Sequence, residues 1–73
     1  MTWHQKITWL YDNFYRDNGG MGLLASDLGV SRLTVQYWYH WPTKTNPATG
    51  KPVEPSWENR ISIDGLAKKK MLT

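Results

Sequence analysis

Basic and polar side chains are concentrated in the middle of this 73-residue chain, where acidic residues are missing. No Asp or Glu occurs between Asp27 and Glu54. The stretch between them contains four basic side chains, Arg32, His40, Lys44 and Lys51, and the amide of Gln36, which can form paired hydrogen bonds. Cations on a surface without carboxylates attract anions, and they do not by themselves break bonds. With a net charge of +3, the chain is predicted to face a polyanion through this stretch.

The residue types that usually carry catalysis or hold metals form no recognisable set. His4 and His40 are isolated, and cysteine is absent. No pair of carboxylates stands out as an acid–base pair. The glycines at 19–22 superficially suggest a phosphate-binding loop, but they follow a predicted helix and lack the lysine of such loops. We therefore expect a protein that is not an enzyme and has no cofactor, metal or small-molecule substrate.

Helical periodicity predicts the first of the elements that position these side chains. The apolar residues near the start recur at the spacing of one helix face: Trp3, Ile7, Leu10 and Phe14. Thr2 and Gln5 match a capping box at the beginning of this helix. The glycines after Asn18 end it, so the predicted helix covers 3–17.

Two shorter helices are predicted next, over 21–28 and from Arg32 to about Trp41. Gly29 separates them, and Ser31 is the predicted N-cap of the second helix. On that second helix Val35 and Trp38 face inward. Five positions lie on the opposite side: Arg32, Leu33, Gln36, Tyr37 and His40.

The stretch "LLASDLGVSRLTVQYWYH" resembles the helix-turn-helix of the small phage Cro and repressor proteins, over about 21–40. Ala25 is small enough for two helices to cross closely, and Gly29 suits a turn with positive φ. The shared core positions are apolar: Leu24, Leu28, Val30, Val35 and Trp38. The resemblance implies a mainly α fold, a small helix-turn-helix domain of four or so helices.

In that family the second helix lies in the DNA major groove. By motif position, the resemblance implies base contacts from four residues: Arg32, Leu33, Gln36 and Tyr37. Arg pairs with guanine, Gln with adenine, and Leu packs on a thymine methyl. A packing role for Tyr37 is equally expected. Contacts to the DNA backbone are expected from Ser31, His40, Lys44 and Lys51.

The segment 42–55 contains all four prolines, and it is predicted to be either a short β wing or a long loop. After it, "VEPSWENRI" is similar to the opening of the last helix in the smaller Cro-type proteins. The alternation Ile61-Ser62-Ile63 suits a strand equally well. Residues 66–73 are predicted to form a weakly ordered basic tail.

These features predict a single DNA-binding domain over 1–73, a transcriptional regulator of phage or mobile-element type. We expect double-stranded DNA as the partner, a homodimer, no membrane contact, and the cytoplasm of a bacterial host as the location. Two alternatives stay open. One is an excisionase-like architectural protein with a wing. The other is a protein-interaction module whose exposed aromatics, such as Tyr37, Tyr39 and Trp41, form the partner surface.

Overall fold

A computed structural model describes residues 1–72 as a mainly helical domain. Its four α-helices are α1 (Trp3–Leu10), α2 (Gly20–Leu28), α3 (Arg32–Tyr39) and α4 (Trp57–Met71). A π-helical turn, Tyr11–Tyr15, continues α1. The predicted mainly α fold with four helices is therefore confirmed.

The first helix begins as predicted but changes its geometry halfway. The Thr2 hydroxyl accepts a hydrogen bond from the Gln5 N–H, and the Gln5 side chain accepts one from the Thr2 N–H, which completes the capping box. After Leu10 the chain forms i→i+5 hydrogen bonds, including one from the Arg16 N–H to the Tyr11 carbonyl (2.8 Å). The predicted uninterrupted α-helix over 3–17 is thus wrong.

The π-helical turn changes which aromatic residue enters the core. An α-helical spacing would bury Phe14 after Leu10, whereas the wider turn buries Tyr15, five residues after Leu10. Phe14 is half-buried and packs its ring edge against Trp9 (5.1 Å between ring centroids). Tyr15 donates a hydrogen bond to Asp27 at the far end of α2 (2.5 Å). The extra residue in the turn therefore links this segment to α2.

Gly29 and Ser31 have their predicted roles in the turn between α2 and α3. Gly29 has a φ of 73° and ends α2, and the Val30 N–H donates to the Ala25 carbonyl (3.0 Å). Ser31 caps α3 by accepting a hydrogen bond from the Thr34 N–H. α3 ends at Tyr39, two residues before the predicted end, with His40 as its C-cap.

One core joins all the helices. Its ten buried residues are Ile7, Leu10, Tyr15, Leu24, Ala25, Leu28, Val35, Trp38, Ile63 and Ala67. Val30, the remaining predicted core position, is half-buried and packs against this cluster. The core positions predicted between α2 and α3 are thus inside the domain.

The segment 42–55 is an ordered loop, and residues 1–72 contain no strand. A single antiparallel bridge pairs Thr45 with Pro52. Asn46 organises the turn between them, because its backbone N–H donates to Lys51 and its carbonyl accepts from Gly50 (2.7 Å). Of the two predicted alternatives, the structure has the long loop.

The residues after the loop form α4, capped by Ser56, whose hydroxyl accepts from the Asn59 N–H. Ile61, Ser62 and Ile63 lie within this helix and not in a strand. α4 also includes the segment from Leu66 to Met71, where a weakly ordered tail was predicted, because Ala67 is buried against the core. Thr73 lies outside the described residues.

The left-handed conformation of Gly29 yields a stability prediction. Gly29→Ala should lower the free energy of unfolding by about 1 kcal/mol, because a Cβ strains a backbone with positive φ. Nothing lies within 4 Å of the added Cβ, so strain in the backbone is the expected cost. Urea denaturation followed by circular dichroism measures this change.

Gly22→Ala is the matched control for that variant. Gly22 is also exposed and has open space around it, but it lies in α2 without a positive φ. Alanine there should leave stability unchanged or raise it by up to about 1 kcal/mol. Equal effects of the two substitutions would contradict the assigned turn.

Candidate nucleic-acid interface

The outer face of α3 is defined by the two residues that the helix buries. Val35 and Trp38 are almost fully buried. At about 100° per residue, Leu33 and His40 then point directly away from the core, with Gln36 and Tyr37 on either side of them. Leu33 is 55% exposed, so the middle of this face has no internal partner.

Arg32 and Gln36 lie one turn apart along one edge of this face. Neither side chain forms a hydrogen bond or an ion pair with another residue of 1–72. Arg32 is exposed and Gln36 is half-buried. Their five-donor guanidinium and their donor–acceptor amide are therefore available to an external ligand.

The other edge of the face is formed by Tyr37 and Lys44. The Lys44 ammonium lies 5.2 Å from the centroid of the Tyr37 ring, a cation–π distance. Just after α3, the N–H groups of Thr43 and Lys44 both donate to the His40 carbonyl, which turns the chain back toward the helix. The loop thus adds a cation to the face of α3, beside a tyrosine that the sequence left undecided between DNA contact and packing.

The other three residues that were predicted to contact the DNA backbone lie at different places around α3. The Ser31 hydroxyl is occupied as the α3 cap and also bonds the Thr34 hydroxyl (2.8 Å). His40 is exposed, with its ring edge against Tyr39. Lys51 lies in the second half of the loop, and its side chain has no ion pair within residues 1–72. His40 therefore lies at the C-terminal end of the α3 face and Lys44 at its Tyr37 edge, whereas Lys51 lies farther along the loop.

The ion pairs of the domain leave this region positively charged. Within residues 1–72 three ion pairs form, and each uses an acidic residue from outside the acid-free stretch: Lys6–Asp64, Arg16–Asp12 and Arg60–Glu54. Arg32, Lys44 and Lys51 have no carboxylate partner among the described residues. Uncompensated cations next to the exposed α3 face favour an anionic ligand.

A polar cluster holds the C-terminal end of α3 against the π-helical turn. The Tyr39 hydroxyl donates to Asp12 (2.8 Å) and accepts from Arg16 (3.0 Å), while Arg16 also pairs with Asp12. The Tyr11 ring meets the Tyr39 ring edge-on at 5.0 Å. The hydrogen bond from Arg16 holds the pKa of Asp12 below its usual value, and the bond to Asp12 raises the pKa of Tyr39.

The same end of α3 is also attached to α1. The His4 ring lies 3.1 Å from the Tyr39 carbonyl, through its Nε2 atom. Trp41 packs against Trp3 (5.2 Å between centroids) and against His4. Trp41, which the helical pattern left without a place, therefore helps to fix the exit of α3.

Sequence reasoning missed both attachments, because their partners are 27 and 35 residues apart. No local pattern links Asp12 to Tyr39. The attachments also affect the proposed aromatic partner surface. Tyr37, Tyr39 and Trp41 are all half-buried and engaged in contacts within the domain, so they do not form the exposed patch that the sequence predicted.

The described residues hold no group of three or more His, Asp or Glu side chains placed to bind a metal ion. None of the helices in 1–72 is long and apolar enough to cross a membrane. No protein-family model, curated protein or solved structure matches the chain. The resemblance to Cro and repressor proteins therefore depends on the residues of the helix-turn-helix themselves.

The lowered pKa of Asp12 gives a pH prediction. The ionised carboxylate of Asp12 contributes fully to stability above the ordinary carboxyl pKa, and this contribution is lost as the pH falls through the lowered pKa. Between about pH 5 and pH 2, the wild type should therefore lose more stability than Asp12→Asn does. Urea midpoints measured across this range test the difference.

Asp17→Asn is the control for this measurement. Asp17 is exposed and has neither an ion pair nor a hydrogen bond from its side chain within residues 1–72. Its amide variant should keep the acid sensitivity of the wild type. If Asp12→Asn and the wild type lose stability in parallel, the Asp12 cluster does not hold α3 in solution.

Proposed function

We propose that this protein is a sequence-specific transcriptional regulator of phage or mobile-element type that binds double-stranded DNA. The observation that carries the proposal is the outer face of α3, where Arg32, Leu33 and Gln36 have no internal partner. Such a protein acts where the DNA is, in the cytoplasm of a bacterial host.

The chemistry of this face suits the edges of base pairs. Arg32 forms two hydrogen bonds with guanine O6 and N7, and Gln36 forms two with adenine N6 and N7. Leu33, at the centre of the exposed side, packs on a thymine methyl group. The spacing of one helical turn between Arg32 and Gln36 lets them contact neighbouring base pairs along the groove.

Phosphate contacts come from the surroundings of α3. Lys44 at the Tyr37 edge and His40 beyond the last turn contact one strand of the backbone, and Lys51 extends the contacts along the loop. The start of α3 at Ser31 adds a helix N-terminus, which favours a phosphate oxygen. These contacts fix the orientation of α3 in the groove and carry no sequence information.

The architectural alternative is a second candidate because the loop 42–55 follows the recognition helix directly, as the wing of an excisionase does. The loop has a single bridge at Thr45 and Pro52 and no strand within the described residues, which favours the regulator. DNA bending separates the two proposals. A regulator of this size binds a short symmetric site, whereas an architectural protein bends DNA and occupies several adjacent sites.

Selection of bound sequences from a random duplex library tests the proposal. A regulator enriches one motif, and its affinity for that motif exceeds that for scrambled DNA by about 10³-fold or more. Absence of any enriched motif, with only weak salt-sensitive binding, would contradict sequence-specific recognition. Absence of all DNA binding at low salt would favour a protein-interaction module.

Substitutions on α3 should change specificity more than fold. Arg32→Ala and Gln36→Ala should each weaken binding to the selected motif by about 1–3 kcal/mol, with a relaxed preference at one or two base pairs. Fluorescence anisotropy with a set of singly mutated duplexes measures both effects. The thermal unfolding midpoint should stay close to that of the wild type, because both side chains lack internal partners.

Arg60→Ala is the charge-matched control for Arg32→Ala. Arg60 lies on α4, and its carboxylate partner is Glu54. Its loss removes the same charge without touching α3, so base preference should be unchanged. Two results would show that Arg32 acts through its charge alone and does not recognise a base. One is a relaxed base preference in Arg60→Ala, and the other is an unchanged base preference in Arg32→Ala.

The loop lysines should determine the salt dependence. Lys44→Ala and Lys51→Ala should each reduce the slope of log affinity against log salt by about 1 and weaken binding equally on selected and scrambled DNA. Titrations of both duplexes across a range of salt concentrations measure the slope. An unchanged slope would place the loop away from the phosphates.

A further inference from the structure

The side of α4 that faces away from the core carries exposed apolar residues. Trp57 is 70% exposed and Ile61 is 60% exposed, on a helix that buries Ile63 and Ala67 on its other side. Gly65 follows at the same spacing of four residues, so these three positions form a stripe along one face. We call Trp57, Ile61 and Gly65 the α4 stripe.

The charges beside the α4 stripe are separated along the helix. Glu58 lies in the first turn, while Lys68 and Lys69 lie in the last turn. All three are exposed, and none has an ion-pair partner among residues 1–72. The face is therefore acidic at one end, basic at the other, and apolar between them.

We propose that the α4 stripe is the surface through which two copies of this chain form a dimer, with the two α4 helices packed antiparallel about a two-fold axis that crosses the stripe at the level of residue 63. Reversing the direction of one helix brings its acidic end beside the basic end of the other. In such a pair the same flank of both helices meets. Glu58 then faces the partner's Lys69, and Trp57 covers the stem of the partner's Lys68.

At the centre of this arrangement, a protruding isoleucine side chain lies against a glycine, which has no side chain. Ile61 and Gly65 are equally distant from residue 63, so each Ile61 faces the partner's Gly65. A Cβ built at Gly65 has no atom within 4 Å, which leaves open space above the helix for an isoleucine. Because the axis makes this contact twice, the stripe buries both Ile61 side chains at the crossing.

This self-complementarity is the reason for choosing a second copy as the occupant. The same reversal about residue 63 brings Ile61 onto Gly65 and the acidic end of α4 onto its basic end. Binding of a different partner would not require α4 to be complementary to itself. The stripe also lies on α4, whereas the proposed DNA-binding face is on α3, so the two surfaces use different elements.

The dimer supplies the oligomeric state of the DNA-binding protein proposed above, and it deepens that proposal by naming the second partner. The test is made without DNA. Monomers that select a DNA motif would overturn only the dimer, and dimers that select none would overturn only the DNA-binding proposal.

Sedimentation velocity of the full chain, from about 1 μM to about 1 mM, tests the dimer. The wild type should move from the mass of one 8.5 kDa chain toward twice that mass as concentration rises. Gly65→Gln should raise the dimer dissociation constant by about tenfold or more, since its side chain fills the gap. Glutamine favours helix over glycine, so this variant should keep the circular dichroism spectrum and thermal stability of the monomer.

A charge exchange tests the antiparallel direction. Glu58→Lys should weaken the dimer, and the double variant Glu58→Lys/Lys69→Glu should restore it. Asp17→Lys makes the same charge change away from α4 and should leave the dissociation constant unchanged. A monomer at every concentration overturns the proposal, as does a dimer that Gly65→Gln leaves intact or that the double variant fails to restore.

Discussion

Burial of Val35 and Trp38 in one short helix is the constraint on which the rest of the candidate site depends. α3 has eight residues, so two buried side chains fix its rotation about its own axis. With that rotation fixed, Leu33 and Gln36 must face outward. The composition of the outer face is therefore a consequence of core packing, and a repacked core would change which residues a ligand meets.

The turn before α3 and the polar cluster at its end also fix the direction of the helix axis. Gly29 and Ser31 determine the angle at which α3 leaves α2. Asp12 and Arg16 hold Tyr39 at the other end, and His4 meets the same residue from α1. A helix fixed at both ends presents its side chains in a defined geometry, which lowers the entropy that binding must remove.

The two short helices α2 and α3 and the turn between them were predictable because their signals are local. A glycine after an apolar run, a serine cap and a periodic stripe each depend on residues within one or two turns. The π-helical turn was not predictable in this way. Phe14 fits the α-helical spacing, and only the fit of Tyr15 against Asp27 and the core favours the wider turn. The Tyr37–Lys44 contact and the Asp12 cluster likewise depend on how distant segments meet.

Alternation of Ile61 and Ile63 was compatible with a strand, and tertiary packing decided the outcome. Ile63 enters the core while Ile61 stays exposed, a difference that the identity of the residue does not encode. Sequence therefore placed the candidate site residues on α3 but did not indicate which side of α4 is exposed. The exposed stripe became visible only when the buried side of α4 was known.

The packing of α4 against α1 joins parts of the chain that are made at different times. Lys6 and Asp64, which form an ion pair, are 58 residues apart, and Ile63 and Ala67 complete a core that starts at Ile7. Without α4, the other helices keep exposed the apolar side that Ile63 and Ala67 cover. A premature stop in α4 would release a chain whose core is incomplete and open to proteolysis.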